Sequence, residues 1–289
     1  TGFPAPWAPR RSPKRTKTTA ETPTIQPLTG KARLMFNQAP RLAICFSALS
    51  HCCSRPVRLS VVVTIVDGAE ALRQCLEALS AQTSPPSLEI VVPYDDSVRG
   101  IEALRADFLD VRFLAMGPTP TERPVRSPAG QHELYDRRRS AGLKAAFGEI
   151  VCILEDRGIP EPTWAAKVSR LHEQLPYAVI GGAVECGIDA PLNWAVYFCD
   201  YGRYQLPFQP GPRHYVTDVN ISYKRAALEA TRELWEARYH ETTVHWDLER
   251  RGETLYLTPD FIVRQHRRRL RLGAILRERI EWGRLFAYT

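Results

Sequence analysis

Two carboxylates, Glu155 and Asp156, directly follow the apolar run 150–154, and Arg157 comes next. Acidic side chains at the C-terminal end of a buried strand stand at the mouth of an open α/β sheet, where ligands bind. In a chain of net charge +7, an acidic pair there suits a divalent cation that in turn holds a phosphate. A plain polar turn uses the same residue types, so that reading also stands at this point. A second acidic stretch, Asp95-Asp96-Ser97, ends another apolar run at 88–93.

The elements that must position these groups follow from periodicity. Residues 59–66 are a near-continuous β-branched run, the pattern of a strand buried on both faces of a parallel sheet. Gly68 breaks it, and 69–82 predicts a helix with Leu72, Cys75, Leu76 and Leu79 on one face. A strand at 88–93, a helix at 101–108 and a strand at 111–115 continue the alternation, which argues for right-handed crossovers and a doubly wound sheet. Residues 117–130 are dense in Pro and Gly and read as a loop. A helix with a basic turn (Arg137, Arg138, Arg139) is predicted at 133–147, then the 150–154 strand, a helix at 164–174 and a strand at 177–184. Beyond Pro191 aromatics cluster at 194–208 without a clean period. Helices at 224–235 and 242–251, short strands at 255–257 and 262–264, and a basic amphipathic helix at 274–286 complete the reading.

At 289 residues, with 44% hydrophobic and 25% charged content, the chain has the make-up of an ordinary globular protein. Its basic residues crowd 10–17 and 264–284, so the pI near 9.1 belongs to the two ends and points to anionic surfaces touched there. Neither end carries a recognised nucleic-acid motif, which argues against nucleic acid as a partner. Seven cysteines form no CxxC pair, and they read as free thiols of a reducing, cytoplasmic setting. No apolar run reaches the 18 residues of a membrane span. Residues 1–57 are expected to be non-globular, with 1–33 rich in Pro, Thr, Lys and Arg; Met35 stands as a candidate start.

Five blocks in fixed order resemble the family 2 glycosyltransferases, inverting enzymes of the GT-A fold that use nucleotide sugars. They are residues 60–67 with the helix after them; Glu89 to Asp95-Asp96-Ser97; Arg139-Ser-Ala-Gly142 with Ala146 and Gly148; Leu154-Glu-Asp-Arg with Pro160 and Trp164; and Asp218-Val-Asn220 with Tyr223 and Arg225, then Glu241, Arg251-Gly252 and His266. The resemblance implies one GT-A domain, a Rossmann-like doubly wound mixed sheet over 58–268, followed by a basic amphipathic helix at 269–289. It implies a sugar moved from a nucleotide-diphosphate donor to an acceptor hydroxyl with inversion. Asp67 falls in the loop facing the base, where the family usually has Pro-x-Tyr-Asn, and Asp95 or Asp96 matches the aspartate that reads the base. Arg139, Glu155, Asp156 and Arg157 complete the expected donor site, Asp218 and Asn220 the acceptor side, and Glu241 the catalytic base.

Glu155, Asp156 and Arg157 fall on the family's metal-binding Asp-x-Asp triplet, yet the third residue has donors only and cannot coordinate a cation. Either Glu155 and Asp156, with His266, still hold Mg²⁺ or Mn²⁺, or the Arg157 fork meets the diphosphate itself. The same departure leaves a non-catalytic nucleotide-sugar-binding module of GT-A type as the alternative function. The acceptor is expected to be a glycan or a lipid-linked group. Leu272, Ile275, Leu276, Ile280, Trp282, Leu285 and Phe286 beside Arg271, Arg277, Arg279 and Arg284 suit peripheral contact with an anionic membrane at its inner face.

Overall fold

The structure, a computed structural model, describes residues 58–268 and 270–287, the side chains of 285–287 excepted. The segment expected to be disordered, 1–57, lies outside the described residues, as do Cys45, Cys52 and Cys53. Cys75, Cys152, Cys186 and Cys199 are free thiols.

The first half alternates as expected: β1 (Leu59–Thr64), α1 (Ala69–Ser80), β2 (Leu88–Tyr94), α2 (Ile101–Asp107) and β3 (Val111–Ala115). Next come α3 (Pro128–Ala145), β4 (Ile150–Glu155), β5 (Gly158–Pro160), α4 (Trp164–Gln174) and β6 (Val179–Cys186). The last third holds α5 (Pro191–Asp200), β7 (Gly211–Arg213), β8 (Asn220–Lys224), α6 (Arg225–Ala230), α7 (Arg232–Trp235), α8 (Glu241–Arg250), β9 (Leu255–Gln265) and α9 (Leu272–Ala287).

These strands form one mixed sheet in the order β3-β2-β1-β4-β8-β6-β9-β5, with β7 pairing β9. β1 to β4 run parallel, and β8 lies antiparallel between β4 and β6. Successive residues of a strand face opposite sides, so Val61 and Val63 join a core with Leu72 and Leu76 of α1, whereas Val62 joins a second core with Leu143 of α3. Apolar runs in β1 and β4 therefore come from burial on both faces.

Helix α3 begins five residues before its sequence-based start at 133, because Ser127 caps it, accepting the Gly130 N–H at 3.1 Å, with Pro128 opening the first turn. Gly142 lets this helix lie close on β1: a Cβ there would stand 2.3 Å from Val62 Cγ1. The close approach sets Arg138 and Arg139 beside the C-terminal ends of β1, β2 and β4.

Candidate active site

The site lies where β1, β2 and β4 end. At the β1–α1 turn Gly68 adopts φ 101°, a conformation open to glycine. The turn aims three successive amides, those of Val66, Asp67 and Gly68, at Asp156 Oδ2, each at 2.9 Å. Asp156 is fully buried, and burial pushes its carboxyl up to about 7 against the pull of those amide bonds. One oxygen of Asp156, expected as a metal ligand, is thus committed to shaping the 66–68 loop, while Oδ1 is buried without a partner.

Arg157 folds over the same loop and donates to Asp67 Oδ1 at 2.7 Å. Glu155 points the other way along the strand end and accepts from an Arg139 terminal nitrogen at 3.1 Å. That same Arg139 nitrogen lies 2.8 Å from Asp218 Oδ2, and its other arm reaches Asp136 Oδ1 at 3.2 Å. The Asp218 N–H in turn donates to Glu241 Oε2 at 2.7 Å. A continuous polar chain, Glu155–Arg139–Asp218–Glu241, thus ties the triplet to the first residue of α8.

Arg139 was expected to bind the donor; it is buried instead as the cation among three carboxylates, and it sets their positions. Burial, and Asp218 next, hold the Glu241 carboxyl well above the ordinary carboxylate range. Burial likewise lifts Asp136 to about 7, opposed by Arg139. Asp136 escaped the sequence reading; its one signal was the i, i+3 spacing to Arg139 on a predicted helix.

Of the two candidates for reading the base, Asp95 is committed elsewhere. It is buried, accepts from Arg138 Nε at 2.7 Å and from the Ser97 amide at 2.9 Å, and against the push of burial these bonds, Ser97's first, lower its pKa. Asp96 is exposed and remains for a ligand. Asn220 is corrected as well. It is fully buried in the middle of the sheet, accepts from Trp164 Nε1 at 2.9 Å, and donates to Ala183 O at 2.8 Å and Phe261 O at 3.4 Å. No face of it is left for an acceptor. Asn220→Ala strands three buried partners and is expected to lower stability by about 3 kcal/mol or more. Urea unfolding checks this, and a loss below about 1 kcal/mol would contradict the assignment.

His266 sits at the end of β9, its N–H on Arg157 O at 2.8 Å and its ring so close to Gly187 that a Cβ there would lie 2.0 Å from Cδ2. Among the described residues no three His, Cys, Asp or Glu side chains gather to hold a metal, so the expected set of Glu155, Asp156 and His266 is not assembled. His245 is buried against Tyr223 Oη at 2.7 Å, and burial lowers it to about 3.

A glycine-shaped loop after the first strand, an acid-led triplet at the end of the fourth and a carboxylate opening a late helix sit on an α/β fold of GT-A type. The sequence profile of Glycosyl transferase family 2 matches residues 60–232. The chain belongs to that family. Over 131 residues it is 27% identical to the glucosyl-dolichyl phosphate glucuronosyltransferase of Haloferax volcanii, covering 44% of this chain and 38% of that protein. The S. aureus TarS 1–349 structure in complex with UDP-GlcNAc is similar at TM-score 0.50 and 13% identity, over 73% of this chain and 60% of that one. The mannosyltransferase PcManGT from Pyrobaculum calidifontis, solved with GDP-Man and Mn2+, gives TM-score 0.48 and 17% identity over 78% and 61%. The chain thus spans well under half of the curated relative and about three fifths of these structures.

Proposed function

We propose that this chain transfers a sugar from a nucleotide-diphosphate sugar to an acceptor hydroxyl with inversion, Glu241 acting as the base. The observation that carries the reading is the polar chain from Glu155 through Arg139 and Asp218 to Glu241, which links the donor end of the sheet to a carboxylate of raised pKa. Glu241 takes the proton of the acceptor hydroxyl as its oxygen attacks the anomeric carbon. The bond from that carbon to the diphosphate breaks on the opposite face, and the nucleoside diphosphate leaves with the electron pair. Asp96, which is exposed, and the 66–68 loop meet the base in this reading, with Asp67 steadying Arg157.

A thermal-shift screen with UDP-, GDP- and dTDP-sugars tests the donor. A true donor at 100 times its dissociation constant should add about 2.7 kcal/mol of stability. A shift without any nucleoside diphosphate release on adding acceptors would favour the non-catalytic binding module, and no shift at all would contradict the donor assignment.

The acceptor side of the proposal is a lipid-linked group met at the inner face of an anionic membrane. Helix α9 is docked on its own domain by Ile275, by the Arg279–Asp200 and Arg267–Glu278 ion pairs, and by Trp282 edge-on to His132. Its other side presents Leu272, Leu276 and Ile280, each more than half exposed, with Arg271, Arg277 and Arg284 exposed around them. The expected contributions of Leu285 and Phe286 lie outside the described side chains. An apolar stripe rimmed by arginines fits the headgroup region of anionic lipid. No helix among the described residues is long and apolar enough to cross a membrane. Co-sedimentation with phosphatidylserine vesicles should be strong at low salt and fall as the Debye length shrinks to about 10 Å at 0.1 M. Pelleting that Leu276→Asp with Ile280→Asp leaves unchanged would contradict the docking role of this helix.

A further inference from the structure

The family's divalent cation does not fit the residues present here. Asp156 spends one oxygen on three amides and Glu155 gives one to Arg139; their second oxygens, Asp156 Oδ1 and Glu155 Oε2, are buried without partners, but a guanidinium stands where the third acid of a cation site would be. A dication placed among them would be repelled by Arg157.

Arg157 itself has capacity to spare. One terminal nitrogen serves Asp67, while its Nε is buried with no hydrogen-bond partner. The side chain lines a cleft shared with Gln265 and Arg267, which β9 delivers at its C-terminal end, and with Asn193 and Tyr201. Gln265 is 5% exposed, and both atoms of its amide lack partners. Arg267 keeps one terminal nitrogen in the same condition; its nearest carboxylate oxygen, on Asp200, stands 3.6 Å away. Buried polar groups left so cost about 1–3 kcal/mol each and call for a ligand. The cleft encloses about 20 Å³, the space of one water-sized group such as a single phosphoryl oxygen.

We propose that Arg157, with Arg267 and Gln265, holds the donor diphosphate in place of a divalent cation. This deepens the nucleotide-sugar reading and rests on it. A guanidinium offers parallel N–H groups matched to two phosphate oxygens, and its charge is permanent. Asp67 holds Arg157 in place before the donor arrives, so the cation meets the charge that develops on the leaving diphosphate without reorganising.

The test is calorimetric titration of the full chain with UDP and with GDP, in EDTA and in Mn²⁺. The diphosphate that binds should bind equally well in EDTA. Arg157→Gln should weaken it by about 10- to 100-fold, the worth of one or two charge-assisted bonds. The same variant should lose most of the preference for the diphosphate over the matching monophosphate. Arg157→Asp, which returns an acid to the third position, should bind only with Mn²⁺. If the Arg157 variants melt early, Arg267→Gln, which leaves the Asp67 pair intact, should weaken the diphosphate in the same direction. Wild-type binding that requires Mn²⁺ would overturn this inference and leave the donor reading standing. Binding of neither UDP nor GDP in either condition would overturn both.

Discussion

Glu241→Gln is expected to lower the rate of sugar transfer by about 10²-fold or more while the donor's affinity stays unchanged. Glu241 opens α8 and accepts the Asp218 amide through Oε2. Glutamine can keep that acceptor with its own carbonyl oxygen, so the loop at Asp218 retains its support and only basicity is removed. The base works ionised, and burial with Asp218 raises its pKa. Activity should therefore fall as pH drops through a limb lying above the ordinary carboxylate range, and the variant's residual rate should lack that limb. Steady-state kinetics across pH check both statements. A variant within a few fold of wild type would remove Glu241 from the base role.

Asp156→Ala is expected to lower stability by about 3 kcal/mol or more and to damage donor binding more than Glu155→Gln does. One oxygen of Asp156 gathers the amides of Val66, Asp67 and Gly68 at 2.9 Å each, and a buried donor left without its acceptor costs about 1–3 kcal/mol. Without that acceptor the loop loses its shape, and Asp67 loses its place against Arg157. Glu155→Gln keeps an acceptor for Arg139 and leaves the loop intact. Urea unfolding and titration with UDP and GDP, run on both variants, compare them. Equal loss of binding in the two would contradict the structural role of Asp156.

Much of this frame is visible in the sequence alone. The β-branched runs of β1 and β4 and the apolar spacing of α1 and α4 carry strong periods, because both faces of the sheet are covered by helices. Strand β8 carried no such signal: Asn220 and Ser222 are as buried as Ile221 and Tyr223, so alternation marks no solvent face. Strand β9 looked like two pieces because Thr258, Pro259 and Asp260 interrupt it, where the pairing with β6 shifts between Gly181 and Ala183. Helix α5 was hidden in an aromatic run whose residues largely pack on one another and on β6. At the site, the sequence offers Glu155, Arg157 and Glu241 by type and order as candidates. What sequence could not give were pairings between distant residues, such as Arg138 with Asp95 or Asn220 with Trp164, which decide which polar side chains remain free.

The most direct test of inverting transfer at Glu241 is the configuration of the sugar released. The protein, supplied with the α-linked donor found in the screen and the matching acceptor or water, is followed by ¹H NMR from the first turnovers. The β-anomer should appear first, and Glu241→Gln should suppress its appearance. An α-anomer as first product, or β-anomer formed equally fast by the variant, would contradict inverting transfer at Glu241.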